Sequence, residues 1–375
     1  MPSYPYESYL QEIANLITIR DEDRPICTKD YDRIRDHVLN GMCFVDNVFN
    51  KLYKGTSLFG SYANNVRIKY PGEFDVIFIL SIPYSSHITV TRDVSRPGYV
   101  TLDLRNTLDE MSENDGYSDV YDHFYELVDN YYYLRRSKLQ TWLEEVVEDC
   151  LDERGNQVRG CMGDLYTLTY SKRGLAHTIF AKCSMRSLSI DFIPGICFGS
   201  EDWMKIVPYP KFKFWDNSYQ WYAVPKPPSD RRRSRCLSFM IANPRVERKL
   251  LLDRQNLKVV FRLLKSLRNA YELDRLKSYF ITTAFLWEIE RQSDAFWQSP
   301  LYVLLEHMLY VLAKAFYDGH LLFYWDRENN LLDILSDKEI GFYAQELRRA
   351  YTTLKQYKTE PNLTFKRCRT HFELP

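Results

Sequence analysis

The sequence predicts an α+β protein of two lobes. An α/β lobe spans residues 1–205 and opens on a long helix, and an α-helical lobe spans residues 206–375. Three observations predict this. Short apolar, β-forming runs are interleaved with helical patterns between residues 76 and 193. From about Leu250 helical spacing continues almost to the end. The charge also divides. Lysine plus arginine (50) balance aspartate plus glutamate (50) overall, yet residues 1–200 carry 29 acids and 21 bases, and residues 201–375 carry 21 and 29. That is −8 and +8, a split that suggests a polyanion partner for the second lobe or simply two solvated surfaces.

Each element has its own signature. Over Tyr31–Lys54 the residues Ile34, Val38, Met42, Val45, Val48, Phe49 and Leu52 recur in steps of three and four, which predicts a helix ended by Gly55. Val76–Leu80 is a β-rich apolar run between Pro71-Gly72 and Pro83, hence a strand. Tyr99–Leu104 alternates and reads as another. Residues 119–149 have helical spacing. Leu165–Tyr170 and Ser187–Ile193 complete the strands, and Pro194-Gly195 then opens a proline-marked loop. The helical lobe follows as segments 250–270, 278–291, 300–317 and 338–357.

Composition narrows the class. With 45% apolar and 15% aromatic residues the chain can build a real core, which excludes a disordered tail. No apolar run reaches the roughly 18–20 residues of a membrane span, and the start MPSYPYESYLQEIANL has no secretory pattern. The eight cysteines form no CxxC pair, and no histidine lies between His177 and His307. A cytoplasmic protein with reduced thiols, no zinc cluster and no membrane partner is expected.

The chemistry concentrates in a few carboxylates. Glu73 and Asp75 flank Phe74 at the start of the strongest strand. Residues two apart in a strand share a face, so the two acids point together while Phe74 points into the core. Co-facial carboxylates repel, and a hard divalent cation such as magnesium relieves that repulsion. Asp191 interrupts the apolar run Leu188–Ile193, where an acid is costly without a partner or a metal. Three acids on neighbouring strands suit two-metal phosphoryl transfer. Gly60-Ser61 lie 13 and 12 positions before Glu73. A glycine lets backbone approach a phosphate, and a serine hydroxyl can bond its oxygens. Gly-Ser followed a dozen residues later by an acidic strand pair is the pattern of polymerase-β-like nucleotidyltransferases.

The segment GTSLFGSYANNVRIKYPGEFDVIFIL, with LSIDFIP further on, closely resembles the core of the cyclic GMP–AMP synthase and cGAS-like receptor family, also called the male-abnormal-21 family. Two further patches agree, LKSLRNAYELDRLKSYFITTAFLWEIE and Leu237-Ser238-Phe239. The resemblance implies a bilobal polymerase-β-like fold. It implies that Gly60 and Ser61 contact nucleotide phosphate and that Glu73, Asp75 and Asp191 hold magnesium or manganese. It further implies that Lys265 touches phosphate, Ser278 hydrogen-bonds nucleotide, Tyr279 stacks on a base and Ser238 lies near the bases. The implied activity is synthesis of a cyclic dinucleotide resembling cGAMP from ATP and GTP, as a second messenger in antiviral innate immunity. Two departures stand out. The family's zinc thumb is absent, so no zinc is expected. Cys236 also stands where the family usually has an arginine that reads an acceptor base, with Arg235 one residue earlier.

Candidate nucleic-acid contacts follow from charge and from the resemblance together. Arg254, Lys258, Arg262 and Lys265 fall within a sector of roughly 80° at about 100° per residue, either a solvated face or part of a ligand groove. Arg231, Arg232 and Arg233, with Arg235, form the densest basic run, and Lys29, Arg33 and Arg35 lie near the start of the N-terminal helix. Without a zinc thumb the resemblance points to double-stranded RNA ahead of double-stranded DNA as activator. It leaves ligand-driven oligomerisation open. Two other readings compete: a silent scaffold on the same fold, and a template-free enzyme that extends RNA ends.

Overall fold

The computed structural model describes residues 5–19, 23–68, 70, 72–206, 220–227 and 236–374. Its contacts gather the chain into two compact units. A helical unit comprises residues 1–20, 63–71 and 247–375, and a sheet unit comprises residues 21–62 and 72–246.

Helix α1 (Pro5–Ile17) belongs to the helical unit and is not among the expected elements. Its Tyr6, Leu10, Ile13, Ala14 and Ile17 are nonetheless buried at helical spacing. The sheet unit begins with α2 (Asp23–Val45) and α3 (Asn47–Leu52). The single helix expected to Lys54 is broken at Asp46, whose backbone is extended and whose carboxylate accepts the Phe49 amide at 2.6 Å. That aspartate caps a new helix start. Strand β1 (Tyr53–Phe59) takes up Lys54 and Gly55, and α4 (Gly60–Ala63) follows.

Strand β2 (Glu73–Leu80) starts at the predicted acid, and β3 (Thr89–Arg92) and β4 (Tyr99–Asp103) come next. Helix α5 (Arg105–Ser112) is not among the expected elements, and α6 (Ser118–Leu127) and α7 (Arg136–Arg154) divide the stretch 119–149 that has helical spacing. The interruption is caused by the sheet. Tyr133 bridges to Asp103, and the Leu134 amide donates to the Leu102 carbonyl at 2.9 Å, so this stretch is drawn onto β4.

The remaining strands are β5 (Gln157–Arg159), β6 (Leu165–Arg173), β7 (Ala176–Lys182) and β8 (Ser187–Phe198). After α8 (Ser200–Ile206) come β9 (Trp221–Val224) and β10 (Phe239–Ala242). The sheet runs β3-β4-β10-β9-β8-β7-β6-β5. Strand β2 lies parallel to β8, and β1 lies antiparallel to β2. Strand β8 does not stop at Pro194-Gly195 as expected. Its antiparallel partners are β7 up to Phe192 and β9 from Ile196, so Pro194 falls in the gap where neither claims its missing amide. Because β9 and β10 hydrogen-bond into the sheet, the division between units falls at 246/247, not at the expected 205/206.

That division lies within α9 (Pro244–Leu251). Beyond it α10 (Gln255–Ala270), α11 (Ser278–Arg291) and α12 (Leu301–Asp318) match the expected helices within a few residues. A small ribbon of β11 (Leu322–Phe323) and β12 (Asp326–Asn330) leads to α13 (Asp337–Tyr357) and α14 (Phe365–Arg369). The core face of α10 buries Leu257, Val260, Phe261, Leu264 and Leu267, and Phe261 stacks on Phe285 at 4.9 Å. Glu7 of α1 accepts the Leu301 and Tyr302 amides at 3.0 and 3.1 Å, satisfying free donors at the start of α12. No described helix is long and apolar enough to cross a membrane.

Candidate active site

The strand β2 sequence alternates about Phe74. That ring is 1% exposed, stacks on Tyr31 with centroids 4.4 Å apart, and touches Tyr62 at the same distance. Anchoring Phe74 in the core turns Glu73 and Asp75 to the other face. There Glu73 is exposed and Asp75 half-buried. Strand β8 brings the third acid alongside: Asp75 and Asp191 are register partners on parallel strands, and Glu73 stands opposite Ser189. In-register neighbours share a face, so two carboxylates meet across the ladder, an arrangement that is destabilising on its own. Farther along the same face the pattern becomes apolar, with Ile77, Ile79 and Ile193 packed together with Tyr222 and Val224. The acids therefore stand at the polar end of a hydrophobic sheet face.

Two neighbours shape this end. Thr178 on β7 is the antiparallel partner of Asp191, and its hydroxyl donates to Asp191 Oδ1 at 2.6 Å. This is the partner that makes an acid tolerable in an apolar strand, and nothing in the Thr178 sequence context singles it out. On the other side β1 places Phe59 opposite Asp75, and the next residue, Gly60, has φ +72. A Cβ on Gly60 would stand 2.1 Å from Asp75 Oδ2. The glycine is thus needed twice, for its backbone angle and for the carboxylate lying against it. Ser61 follows in α4, half-buried.

The donor set is all oxygen, which suits a hard divalent cation. Among the described residues no group of three or more His, Cys, Asp or Glu side chains converges in a metal-holding cluster; the three acids share a face without closing on one point.

Ser238 also belongs to the sheet unit. It is fully buried just before β10, its hydroxyl donates to Asp93 Oδ2 at 2.7 Å, and it accepts from Arg96 at 3.2 Å. The helical unit holds the other expected nucleotide contacts. Lys265 is 5% exposed and donates to the Val66 carbonyl at 3.2 Å. Ser278 Oγ accepts from Arg268 at 3.0 Å. The Tyr279 hydroxyl donates to Glu247 Oε1 at 2.8 Å, and the Trp325 indole donates to the same oxygen at 2.8 Å. Burial pushes the Glu247 carboxyl above its ordinary value against the downward pull of those two bonds. Glu247, with no distinguishing sequence context, is the residue that orients Tyr279.

The expected basic surface differs in the structure. Lys258 and Arg262 are each 8% exposed, and Arg262 donates to the Asn65 carbonyl at 2.8 Å. Arg254 pairs with Asp294 at 2.6 Å. The solvated-face alternative for this stripe is therefore corrected: Arg262 and Lys265 turn onto the 63–71 segment of their own unit. In the sheet unit Arg35 pairs with Asp32 and Asp36 at 2.7 and 2.8 Å. Arg33 is exposed and donates to the Gly160 carbonyl at 2.8 Å, and Lys29 is exposed. Arg231, Arg232, Arg233 and Arg235 lie outside the described residues.

A mixed sheet carrying paired strand carboxylates, followed in sequence by a run of helices, fits a nucleotidyltransferase domain. The family model for the Mab-21 protein nucleotidyltransferase domain matches residues 62–253, and that for the Mab-21 protein HhH/H2TH-like domain matches residues 256–349. The chain belongs to the Mab-21 family of nucleotidyltransferases, in its branch of cGAS-like receptors. It is similar to cyclic GMP-AMP synthase-like receptor 1 of Drosophila melanogaster, 32% identical over 92% of this chain and 91% of that one. It is 31% identical to the cyclic GMP-AMP synthase-like receptor of Lucilia cuprina, over 87% of this chain and 86% of the relative. The corresponding receptor of Aethina tumida is 27% identical over 98% of this chain and 92% of its own.

Proposed function

We propose that this protein joins ATP and GTP into a cyclic dinucleotide by two successive nucleotidyl transfers, and that double-stranded RNA switches it on. The observation that carries the catalytic part is the register pairing of Asp75 with Asp191, with Glu73 two residues away on the same face. In each transfer a hydroxyl of one nucleotide attacks the α-phosphorus of the other. A P–O bond forms, the bond to the leaving pyrophosphate breaks, and the hydroxyl proton passes by way of a strand carboxylate to solvent. Glu73, Asp75 and Asp191 would hold magnesium or manganese, which supplies activation of the hydroxyl and neutralisation of the pyrophosphate. The remaining work is positioning and electrostatics. Gly60 keeps the backbone low beside Asp75, and the Ser61 hydroxyl donates to phosphate oxygen. Thr178 fixes the Asp191 rotamer. Lys265 offsets phosphate charge, Ser278 hydrogen-bonds nucleotide, and Tyr279, held by Glu247, stacks on a base. Ser238 lies beside a base.

The test is incubation with labelled ATP and GTP and magnesium, with and without double-stranded RNA or DNA, followed by product chromatography and phosphatase treatment. A phosphatase-resistant dinucleotide that depends on RNA is expected. Extended RNA would point instead to end addition, and absence of any product under every ligand would point to a scaffold role.

The activator part rests on the relatives being receptors and on exposed Lys29 and Arg33 at one end of α2. Contact through phosphates and 2′-hydroxyls predicts strong salt dependence. With only these two phosphate contacts, log affinity falls with a slope of about −1.8 in log salt, so raising salt fourfold should weaken RNA stimulation by roughly 12-fold. Titrating RNA at several salt concentrations measures this; activity that is full without RNA and flat in salt would reject the RNA assignment.

A further inference from the structure

The sheet unit contains a cavity of about 840 Å³ that the catalytic acids do not line. Its walls come from four separate stretches: Arg92 at the end of β3 and the following loop with Asp93 and Arg96; Thr101 of β4; the Asp129–Arg135 segment before α7; and Cys236–Ser238 before β10. Three guanidinium-bearing residues thus meet two carboxylates around one hollow, an excess of one positive charge.

The carboxylates are committed. Asp93 accepts from Arg96 at 3.1 Å, from Ser238 at 2.7 Å, and from the Ser95 hydroxyl and amide at 2.6 and 3.1 Å. Burial pushes its carboxyl up, but the bonds from Ser95, Ser238 and Arg96 outweigh burial and hold it below the ordinary carboxylate range. Asp129 Oδ1 accepts the Tyr131 and Tyr133 amides at 2.9 and 3.0 Å and so shapes the loop. The floor is rigid. Arg136 is buried, its guanidinium donates to the Ser238 carbonyl at 2.9 Å, and its amide donates to the Cys236 carbonyl at 2.5 Å. Arg135, next in sequence, is half-buried at the rim and has no ion-pair partner among the described residues. Tyr131, 71% exposed, and Tyr133 stand beside it and offer aromatic faces. An arginine fork without a carboxylate, next to aromatic rings and hydroxyls, suits a ligand that carries both phosphate and a flat base.

We propose that this cavity, which shares Ser238 with the nucleotide site proposed above, receives the nucleotide whose triphosphate is not attacked in a given transfer, with Arg135 anchoring those phosphates and Tyr131 and Tyr133 against its base. The choice of a triphosphate rests on the nucleotidyl-transfer reading; the cationic cavity does not. Arg135 is a positioning residue for substrate and takes no part in the chemical step.

The test uses the full chain and three probes: ATP, GTP and inorganic triphosphate. Arg135→Gln is expected to raise the Kd, and in turnover the KM, of at least one nucleotide by about tenfold or more, with kcat unchanged within about twofold. Arg135→Lys should recover part of the loss, since it keeps the charge and loses the fork. Lys138→Gln, a nearby cation outside the cavity, should change neither constant. Inorganic triphosphate should displace the Arg135-dependent nucleotide. Wild-type Kd and KM in Arg135→Gln, or no displacement by triphosphate, would overturn the proposal while leaving nucleotidyl transfer intact. Nucleotide binding that depends on Arg135 in a protein that makes no product would sustain the site and remove the transfer reading instead.

Discussion

Glu73→Ala combined with Asp75→Ala is expected to leave a folded protein whose dinucleotide yield is lower by at least about a thousandfold, the order of several kcal/mol of transition-state stabilisation. Folding survives because the anchors of β2 are untouched. Phe74 and Val76 are 1% and 0% exposed and face away from the acids. Removing Asp75 also takes away a like charge in register with Asp191. Thermal stability should therefore hold or rise slightly as activity disappears. Melting curves and product chromatography on the same preparation measure both. Asp75→Asn is the sharper single change, because it keeps the side-chain volume against Gly60 and removes only the charge. A double-alanine variant that still makes cyclic dinucleotide would remove these acids from the mechanism.

The part of this site that needs only local pattern is legible in the sequence. Period-two alternation about Phe74 is enough to place Glu73 and Asp75 on one face, and the core position of Phe74 follows. That Asp191 is the register partner of Asp75 is not legible in that way. Parallel pairing of β2 with β8 is set by the whole sheet; the apolar run around Asp191 and the resemblance mark it as a candidate, but neither gives its register. Thr178 escapes for the same reason, since its role exists only through the β7–β8 register. The helices α10 to α13 are legible to within about five residues, because each buries a broad apolar face of its own, whereas α1, α9, α14 and the β11–β12 ribbon are not.

The places where local pattern and structure differ share a cause. The fate of Lys258, Arg262 and Lys265 was set by what covers their sector. A helical wheel separates them from Leu257 and Phe261 but cannot show that the distant 63–71 segment offers carbonyls to Arg262 and Lys265. Likewise Pro194 reads as a strand breaker until the gap between β7 and β9 is known, and Tyr53 and Lys54 read as a helix end until β2 supplies a strand partner. Each is a case of tertiary context overriding local propensity.

Gly60→Ala is expected to reduce turnover by about a hundredfold, the scale of an ångström-sized misplacement at a reacting centre. Two separable effects act at this position. An alanine at φ +72 pays a backbone cost of roughly 1–3 kcal/mol, which lowers stability. Independently, its Cβ would lie 2.1 Å from Asp75 Oδ2, 2.8 Å from Cγ and 3.1 Å from Cβ. An aspartate side chain is too short to yield at its tip alone, so the whole carboxylate must rotate away from its place beside Asp191. Gly55→Ala separates the two. Gly55 has φ +105, yet a Cβ there meets nothing within 4 Å. Both variants should therefore lose stability through the backbone, and Gly60→Ala alone should lose the reaction. Denaturant melts give the first quantity and steady-state rates the second. Equal rates in the two variants would show that the Gly60–Asp75 contact does not position the carboxylate for turnover. A Gly60→Ala rate restored by excess manganese would instead trace the loss to weakened metal binding at the displaced acid, since mass action can recover occupancy but not a missing ligand.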